Sequence, residues 1–151
     1  MPQSLAKILV HVVFSTKHRT PWLKDSAVRH ELHAYLTKTL QTLECPPSAC
    51  DGVADHIHFL CQLSRKIRVM DLIEKVKTAS SKWIKTKGPA YGNFYWQGGY
   101  GAFSVSESSR RAVIEYIRRQ EEHHRQMTFQ DEFRTLCRKH GIEIDERYVW
   151  D

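Results

Sequence analysis

The chain has 151 residues, 41% of them apolar and 26% charged, which predicts one soluble globular domain over residues 1–151. No stretch is long and apolar enough to span a membrane, and we find no basic start followed by a cleavage site of a signal peptide, so we expect a cytoplasmic protein. Lys and Arg number 23 against 17 Asp and Glu, and this positive balance favours a polyanionic partner such as nucleic acid.

The first half of the chain predicts three strands and one long helix. Residues 8–14 are apolar and rich in β-branched side chains, as in a strand, and a basic loop follows at 15–23. Apolar residues then recur at helical spacing over 24–43. Residues 49–55 and 56–63 predict two further strands.

The second half predicts three helices and one strand. Helical spacing recurs over 69–85, and the glycine- and aromatic-rich stretch 92–106 ends in strand-like alternation. Two more helices are predicted over 110–125 and 129–140. The resulting order, β-α-β-β-α-β-α followed by the short helix over 129–140, indicates an α+β, ferredoxin-like fold with one antiparallel sheet and helices on one face.

Two histidines interrupt the apolar strand predicted over 56–63. Because side chains alternate along a strand, His56 and His58 share one face while Ile57 and Phe59 point to the core. The two imidazoles are about 7 Å apart along the strand, which allows them to share one metal ion. The alternative is a pair of ordinary surface histidines, so a metal site needs a further ligand and a reactive group.

The helix predicted over 110–125 offers both. Tyr116 and Gln120 are four residues apart and therefore share one helical face, with Arg119 and His123 near it. A nearby divalent cation makes the phenolate of Tyr116 easier to form and polarises a phosphodiester. Gln120 offers a neutral oxygen ligand, and a set without thiolates suits Mg²⁺ or Mn²⁺. His123 either assists metal binding or proton transfer, or simply packs.

Several sequence blocks, in the same order, resemble the single-tyrosine HUH transposases of bacterial insertion sequences and the related REP-associated tyrosine transposases. They are HVVFSTKHR (11–19), DHIHFL (55–60), KTASSKWI (77–84), WQGGYGAFSVS (96–106), YIRRQEEHH (116–124) and the closing FQDEFRTLCRKHGIEIDERYVW (129–150). The resemblance runs nearly from end to end, which makes it far more specific than the histidine pair alone.

The resemblance implies a role for each candidate residue. His56 and His58 correspond to the metal ligands of the His-hydrophobic-His motif, and Gln120 corresponds to a third ligand. Tyr116 corresponds to the nucleophile, which in this family attacks a scissile phosphate of one DNA strand. That attack leaves a 5′-phosphotyrosine and a free 3′-hydroxyl, and a second 3′-hydroxyl then joins DNA to DNA without a nucleotide cofactor.

The resemblance also implies partners. Members act on single-stranded DNA that carries hairpins, and they are typically homodimers, so Tyr116 is expected to complete the active site of a partner subunit in trans. The candidate DNA contacts are basic side chains after the first strand and on two of the predicted helices: Lys17, His18, Arg19, Lys77, Lys82 and Arg119.

Three other functions remain open. A domesticated protein of the same fold would bind or nick DNA hairpins without mobilising an element. A replication or mobilisation initiator would use the same motif, usually in a longer chain with further domains. A non-catalytic metal-binding protein would need no tyrosine beside the histidines. The joint presence of His56, His58, Tyr116 and Gln120 favours the active enzyme.

Overall fold

A four-stranded antiparallel sheet forms the centre of the computed structural model, which describes residues 2–151. Its strands are β1 (Leu9–Ser15), β2 (Pro47–Val53), β3 (His56–Gln62) and β4 (Gly101–Val105). They lie in the order β2-β3-β1-β4, so the histidine-bearing strand β3 is paired on both sides.

Five α-helices within these residues surround the sheet. They are α1 (Ser26–Thr42), α2 (Val69–Lys85), α3 (Arg110–Arg118), α4 (Gln120–His123) and α5 (Phe129–Lys139). The predicted element order and the α+β, ferredoxin-like class are confirmed. The helix predicted over 110–125 is interrupted at Arg119, whose φ of −104° and ψ of 24° are not helical. Between residues 2 and 151, no helix combines the length and apolarity needed to cross a membrane.

The helices α1 and α2 cover one face of the sheet and enclose the main apolar core. Ile57 and Phe59 of β3 point to this face and are fully buried. They belong to one cluster with side chains of both helices, among them Leu32, Leu36, Leu40, Leu72, Ile73 and Val76. Full burial of such side chains contributes about 1.5–3 kcal/mol each, so this face supplies much of the fold's stability.

The opposite face of the sheet is covered by α3 and α5. Ile117 of α3 packs with Leu9 and Leu60, and Phe133 of α5 packs with Phe103 of β4. The expectation that helices lie on one face therefore holds for α1 and α2 only. The apolar stripes of α3 and α5 need a surface of their own to bury, and the second sheet face provides it.

Close strand pairing fixes the start of β3. His56 pairs with Ser15 of β1 on one side and with Val53 of β2 on the other. Gly52, opposite Ile57, lies so close to β3 that an added Cβ would collide with the carbonyl oxygen of His56. Glycine permits this approach, which holds β2 tightly against the strand that carries both histidines.

Candidate active site

The two histidines of β3 lie on the sheet face opposite the main core, as strand alternation predicts. His56 and His58 have no exposed surface, and their ring centroids are 5.3 Å apart. The ring of His56 also lies 4.3 Å from that of His124 and 4.9 Å from that of Phe129. This complete burial contradicts the alternative that both are ordinary surface histidines.

A carboxylate from α5 lies at the centre of these rings. Oε1 of Glu132 is 2.8 Å from Nε2 of His58, 3.1 Å from Nε2 of His124 and 3.3 Å from Nε2 of His56. One ligating atom from each of the four residues lies within 4.8 Å of the others. Imidazole nitrogen and carboxylate oxygen are common metal ligands, so this buried cluster is able to hold a divalent metal ion.

Two of the imidazoles use their other ring nitrogen to bind a fixed oxygen atom. Nδ1 of His56 lies 2.7 Å from Oδ1 of Asp55, and Nδ1 of His124 lies 2.7 Å from the carbonyl oxygen of Met127. Such contacts fix the ring orientation and the tautomer of metal-ligating histidines. Both Nε2 atoms are thereby held toward Glu132.

A fourth histidine, His11 of β1, contacts the other ring nitrogen of His58. Nε2 of His11 is 2.9 Å from Nδ1 of His58, and the two rings are stacked with centroids 5.1 Å apart. Burial and the neighbouring His58 lower the pKa of His11 to about 3. His11 is therefore neutral at ordinary pH and able to hold the His58 ring without adding charge.

Tyr116 of α3 reaches the same carboxylate. Its hydroxyl donates a hydrogen bond to Oε2 of Glu132, and its ring centroid lies 5.8 Å from that of His58 and 4.8 Å from that of His123. Within the one chain described, Tyr116 thus lies beside the histidines of its own sheet, and residues 106–109 connect its helix α3 to β4.

Gln120 follows the break at Arg119 and also enters the site. It is fully buried, and its Oε1 lies 3.3 Å from Nε2 of His56. Tyr116 and Gln120 are thus brought to the histidines together, as their spacing predicts, whereas the side chain of Arg119 is exposed. His123 packs against the Tyr116 ring, and its buried Nε2 makes no hydrogen bond within the described chain.

The charges of the cluster are strongly coupled. Burial by itself lowers the pKa of His56, but its hydrogen bonds with Asp55 and Glu132 outweigh burial and raise the pKa to about 9. Burial lowers the pKa of His58. Burial opposes ionisation of Glu132, yet the surrounding histidines hold its pKa far below the usual range. Burial and the negative charge of Glu132 raise the pKa of Tyr116, so the isolated site keeps the phenol protonated.

The basic loop after β1 lies at the same end of the sheet as His56, because Ser15 pairs with that residue. Lys17 and His18 are exposed there, and His18 adopts a left-handed backbone conformation with φ 58°. Arg19 is half-buried and donates from Nη1 to the carbonyl oxygen of Trp150 at 2.7 Å. The loop thus presents Lys17 and His18 to solvent, while Arg19 ties it to the C-terminal segment.

Lys77 and Lys82, the two candidate DNA contacts on α2, differ in their exposure and hydrogen bonding. Lys77 donates to the carbonyl oxygens of Gln97 and Gly99, each at 2.7 Å, and burial lowers its pKa to about 8. Its ammonium is therefore engaged by the backbone of the loop before β4 rather than free to meet a phosphate. Lys82 is exposed, but α2 covers the sheet face opposite the histidines, so Lys82 lies away from the cluster.

A cavity of about 440 Å³ opens beside the phenol. Tyr116 and His11 line it together with Ser104 of β4, with Ser106 and Ser109 between β4 and α3, and with Lys139 and His140 at the end of α5. The metal-ligating candidates themselves are buried, so this cavity is an approach to the site from the side of Tyr116.

Sequence reasoning missed Glu132, His124 and His11 as members of the site. Glu132 was recognisable from the sequence as a charged residue within the apolar stripe of α5, between Phe129 and Phe133. The other two histidines offered no such signal, because only the fold brings β1 and the end of α4 to the same point.

Comparisons with known proteins give the family and the fold of the chain. Residues 4–120 match the family described as transposase, IS200-like. One similar solved structure is a protein of Deinococcus radiodurans R1, provisionally described as a transposase, with 23% identity over 80% of this chain and 95% of that chain and a TM-score of 0.61. Another is a REP-associated tyrosine transposase bound to a REP hairpin, with 12% identity over 82% of this chain and 73% of that chain and a TM-score of 0.59. No curated protein matches the chain.

The two solved structures share the fold at low sequence identity, and the family match carries more weight. It spans well over half of the chain and includes His56, His58, Tyr116 and Gln120. The chain therefore belongs to the IS200-like transposase family.

Proposed function

We propose that this protein is a metal-dependent single-stranded DNA transposase whose nucleophile is Tyr116. The phenol oxygen attacks a scissile phosphate, so that a Tyr–O–P bond forms while the P–O3′ bond breaks. The phenol proton is lost to solvent, and the departing 3′-oxygen takes up a proton to become a hydroxyl. The 3′-hydroxyl of a second strand then attacks the phosphotyrosine, joins DNA to DNA and restores the phenol.

One observation supports this function most strongly. The hydroxyl of Tyr116 and the imidazoles of His56 and His58 converge on a single buried carboxylate, Glu132. Covalent strand transfer requires a nucleophile and metal ligands within reach of one phosphodiester. A purely structural role explains the packing of these residues less well, since burying so many polar groups at one point opposes folding.

The proposed cofactor is a divalent cation, Mg²⁺ or Mn²⁺. His56 and His58 would hold it by Nε2, with the amide oxygen of Gln120 near enough to join them. When bound, the ion neutralises the charge of the phosphodiester and polarises it toward attack. The chain's own contribution is to orient both rings and to keep the phenol beside them.

The proposed substrate is single-stranded DNA that carries a hairpin. One solved structure of the same fold is a REP-associated tyrosine transposase bound to a REP hairpin. In this chain, Lys17 and His18 are exposed beside the histidine end of β3, and Arg119 is exposed beside Gln120. These side chains are suited to phosphate contacts, which makes binding sensitive to salt. The cavity beside Tyr116 gives a nucleotide access to the phenol.

The test is covalent capture of labelled single-stranded hairpins, taken from the DNA that flanks the gene, in the presence of Mn²⁺. Wild-type protein is expected to form an adduct that survives denaturing electrophoresis. Tyr116→Phe should bind the hairpin but form no adduct, whereas Tyr148→Phe, at an exposed tyrosine, should react like wild type. Binding without any adduct in the wild type would instead support a domesticated hairpin-binding protein.

A second experiment asks whether a homodimer shares its sites. Because Tyr116 lies beside His58 of its own chain, we propose that each chain cleaves with its own tyrosine. A mixture of Tyr116→Phe and His56→Ala proteins should then form no more adduct than either variant alone. Recovery of activity on mixing would show that the tyrosine works in trans.

A further inference from the structure

Two residues outside the family match lie among the candidate metal ligands. The match ends at residue 120, whereas His124 follows α4 and Glu132 lies on α5. Their side chains nevertheless meet, with Nε2 of His124 3.1 Å from Oε1 of Glu132, and the same oxygen lies 2.8 Å from Nε2 of His58. The C-terminal segment thus adds an imidazole and a carboxylate to the residues that carry the family resemblance.

Glu132 is a buried carboxylate, which is unfavourable unless positive charge lies beside it. It is 1% exposed and lies on the apolar side of α5, between Phe129 and Phe133. Within residues 2–151 its ion-pair partners are histidines and include no lysine or arginine. A carboxylate in such surroundings destabilises the fold by several kcal/mol unless it is matched by positive charge. A protonated histidine supplies such a charge in the metal-free chain, and a metal ion bound by the same imidazoles would supply it in place of the proton.

The tautomers of two histidines point to the same conclusion. A carbonyl oxygen only accepts hydrogen bonds, so Nδ1 of His124 carries the hydrogen that it donates to Met127. In the neutral ring this leaves Nε2 with a free lone pair directed at Glu132. Nδ1 of His56 meets Asp55 in the same way. Lone pairs and a carboxylate facing one another repel unless protons or a cation lie between them.

We infer that His124 and Glu132 bind the same ion as His56 and His58, which makes a centre of three histidines and one carboxylate. This inference rests on the proposed function, because it completes the site at which Tyr116 acts. Three imidazole nitrogens favour a transition-metal ion such as Mn²⁺ or Zn²⁺ over Mg²⁺, which prefers oxygen ligands. Glu132 would then help to hold the ion while it accepts the hydrogen bond from the hydroxyl of Tyr116, and so it would position the nucleophile.

The experiment measures metal affinity rather than activity. Metal-free full-length protein is titrated with Mn²⁺ and with Mg²⁺ by calorimetry, and the melting temperature is followed with and without Mn²⁺. Glu132→Gln and His124→Gln should each weaken Mn²⁺ binding by about a hundredfold or more and remove most of the metal-induced rise in melting temperature. His123→Gln is the matched control, because its ring lies outside the cluster, and it should bind Mn²⁺ like wild type.

The other possible results of these titrations either overturn the inference or assign the ligand to a different residue. Unchanged Mn²⁺ affinity in folded His124→Gln and Glu132→Gln would overturn the inference, as would wild-type binding of Mg²⁺ as tight as that of Mn²⁺. Loss of Mn²⁺ binding in Gln120→Ala alone would assign the third ligand to Gln120 instead. If Glu132→Gln fails to fold, the comparison of His124→Gln with His123→Gln still shows whether the C-terminal segment contributes a metal ligand. Covalent capture by Tyr116 is measured separately, so the proposed function stands or falls on its own experiment.

Discussion

The two faces of the sheet bury opposite kinds of side chain. Toward α1 and α2, Ile57 and Phe59 join a fully buried apolar cluster. Toward α3 and α5, the neighbouring residues His56 and His58 are equally buried but meet nitrogen and oxygen atoms of other side chains. Because adjacent strand residues point to opposite faces, the seven residues of β3 serve both surfaces.

The difference shows how one small sheet separates stability from chemistry. Apolar burial lowers the free energy of the fold by about 25 cal/mol per Å², and it depends little on which apolar residue is present. Polar burial gains little net free energy, and each group there needs a particular partner. Substitutions on the apolar face are therefore expected to change unfolding, whereas those on the polar face are expected to change metal binding and DNA cleavage.

The largest effect is expected on the polar face. His58→Gln removes an imidazole ligand, and since a metal ion stabilises the transition state by several kcal/mol, adduct formation should fall by about a thousandfold or more. Its free energy of unfolding without metal should change by about 1.5–3 kcal/mol, the value of a hydrogen bond to a charged group. Rates of covalent capture and urea unfolding of the same sample check both statements. A loss of stability as large as that of a substitution in the apolar core would contradict the separation of stability and chemistry between the two faces.

Phe59, adjacent to His58, is expected to show the opposite pattern, with a large effect on stability and a small effect on metal binding. Phe59→Ala empties space in the apolar cluster, where Phe59 meets Phe14 edge to face with centroids 6.5 Å apart. We expect a loss of about 3–5 kcal/mol in the free energy of unfolding, with a smaller loss for Phe59→Leu. The Mn²⁺ affinity of the folded fraction should change far less than in His58→Gln. Urea unfolding and calorimetry make this comparison.

The apolar face was also the part of the fold that the sequence predicted best. Helical spacing located α2 at its observed bounds, and alternation over 56–63 assigned Ile57 and Phe59 to the core. The break at Arg119 was missed, because a helical pattern of side chains continues through it. The sequence placed the Tyr116 helix beside the histidines but missed the packing of α5 on the same face, since an apolar stripe shows that a helix is buried but not against which surface.

The polar face was predicted only in part. The spacing of His56 and His58, and that of Tyr116 and Gln120, is local and therefore visible in the sequence. Glu132 comes to the site from a separate helix, and nothing local says which residues a buried carboxylate will meet. The sequence also raised His123 as a candidate, whereas the turn after the helix break brings His124 to the cluster instead.

The smallest effect concerns His33, a buried histidine of α1 that lies beside Asp51 of the edge strand β2. Burial, with the neighbouring charges of His30 and Arg29, lowers the pKa of His33 to about 4, while Asp51 lies 3.6 Å away without raising it. The unfolded chain binds this proton near pH 6.5, so stability is complete above that value and is lost as the pH falls from 6.5 to 4.

The expected loss attributable to His33 is about 3 kcal/mol at pH 4, from the difference between the two pKa values. His33→Leu cannot take up this proton, so its stability relative to wild type should rise by that amount between pH 7 and pH 4. His30→Leu removes only one of the lesser causes of the lowered pKa of His33, so it should show a smaller rise than His33→Leu. Urea unfolding at the two pH values measures the difference. An equal dependence on pH in wild type and His33→Leu would mean that the acid sensitivity of the fold comes from the polar face, because the other histidines with lowered pKa values, His11 and His58, lie there.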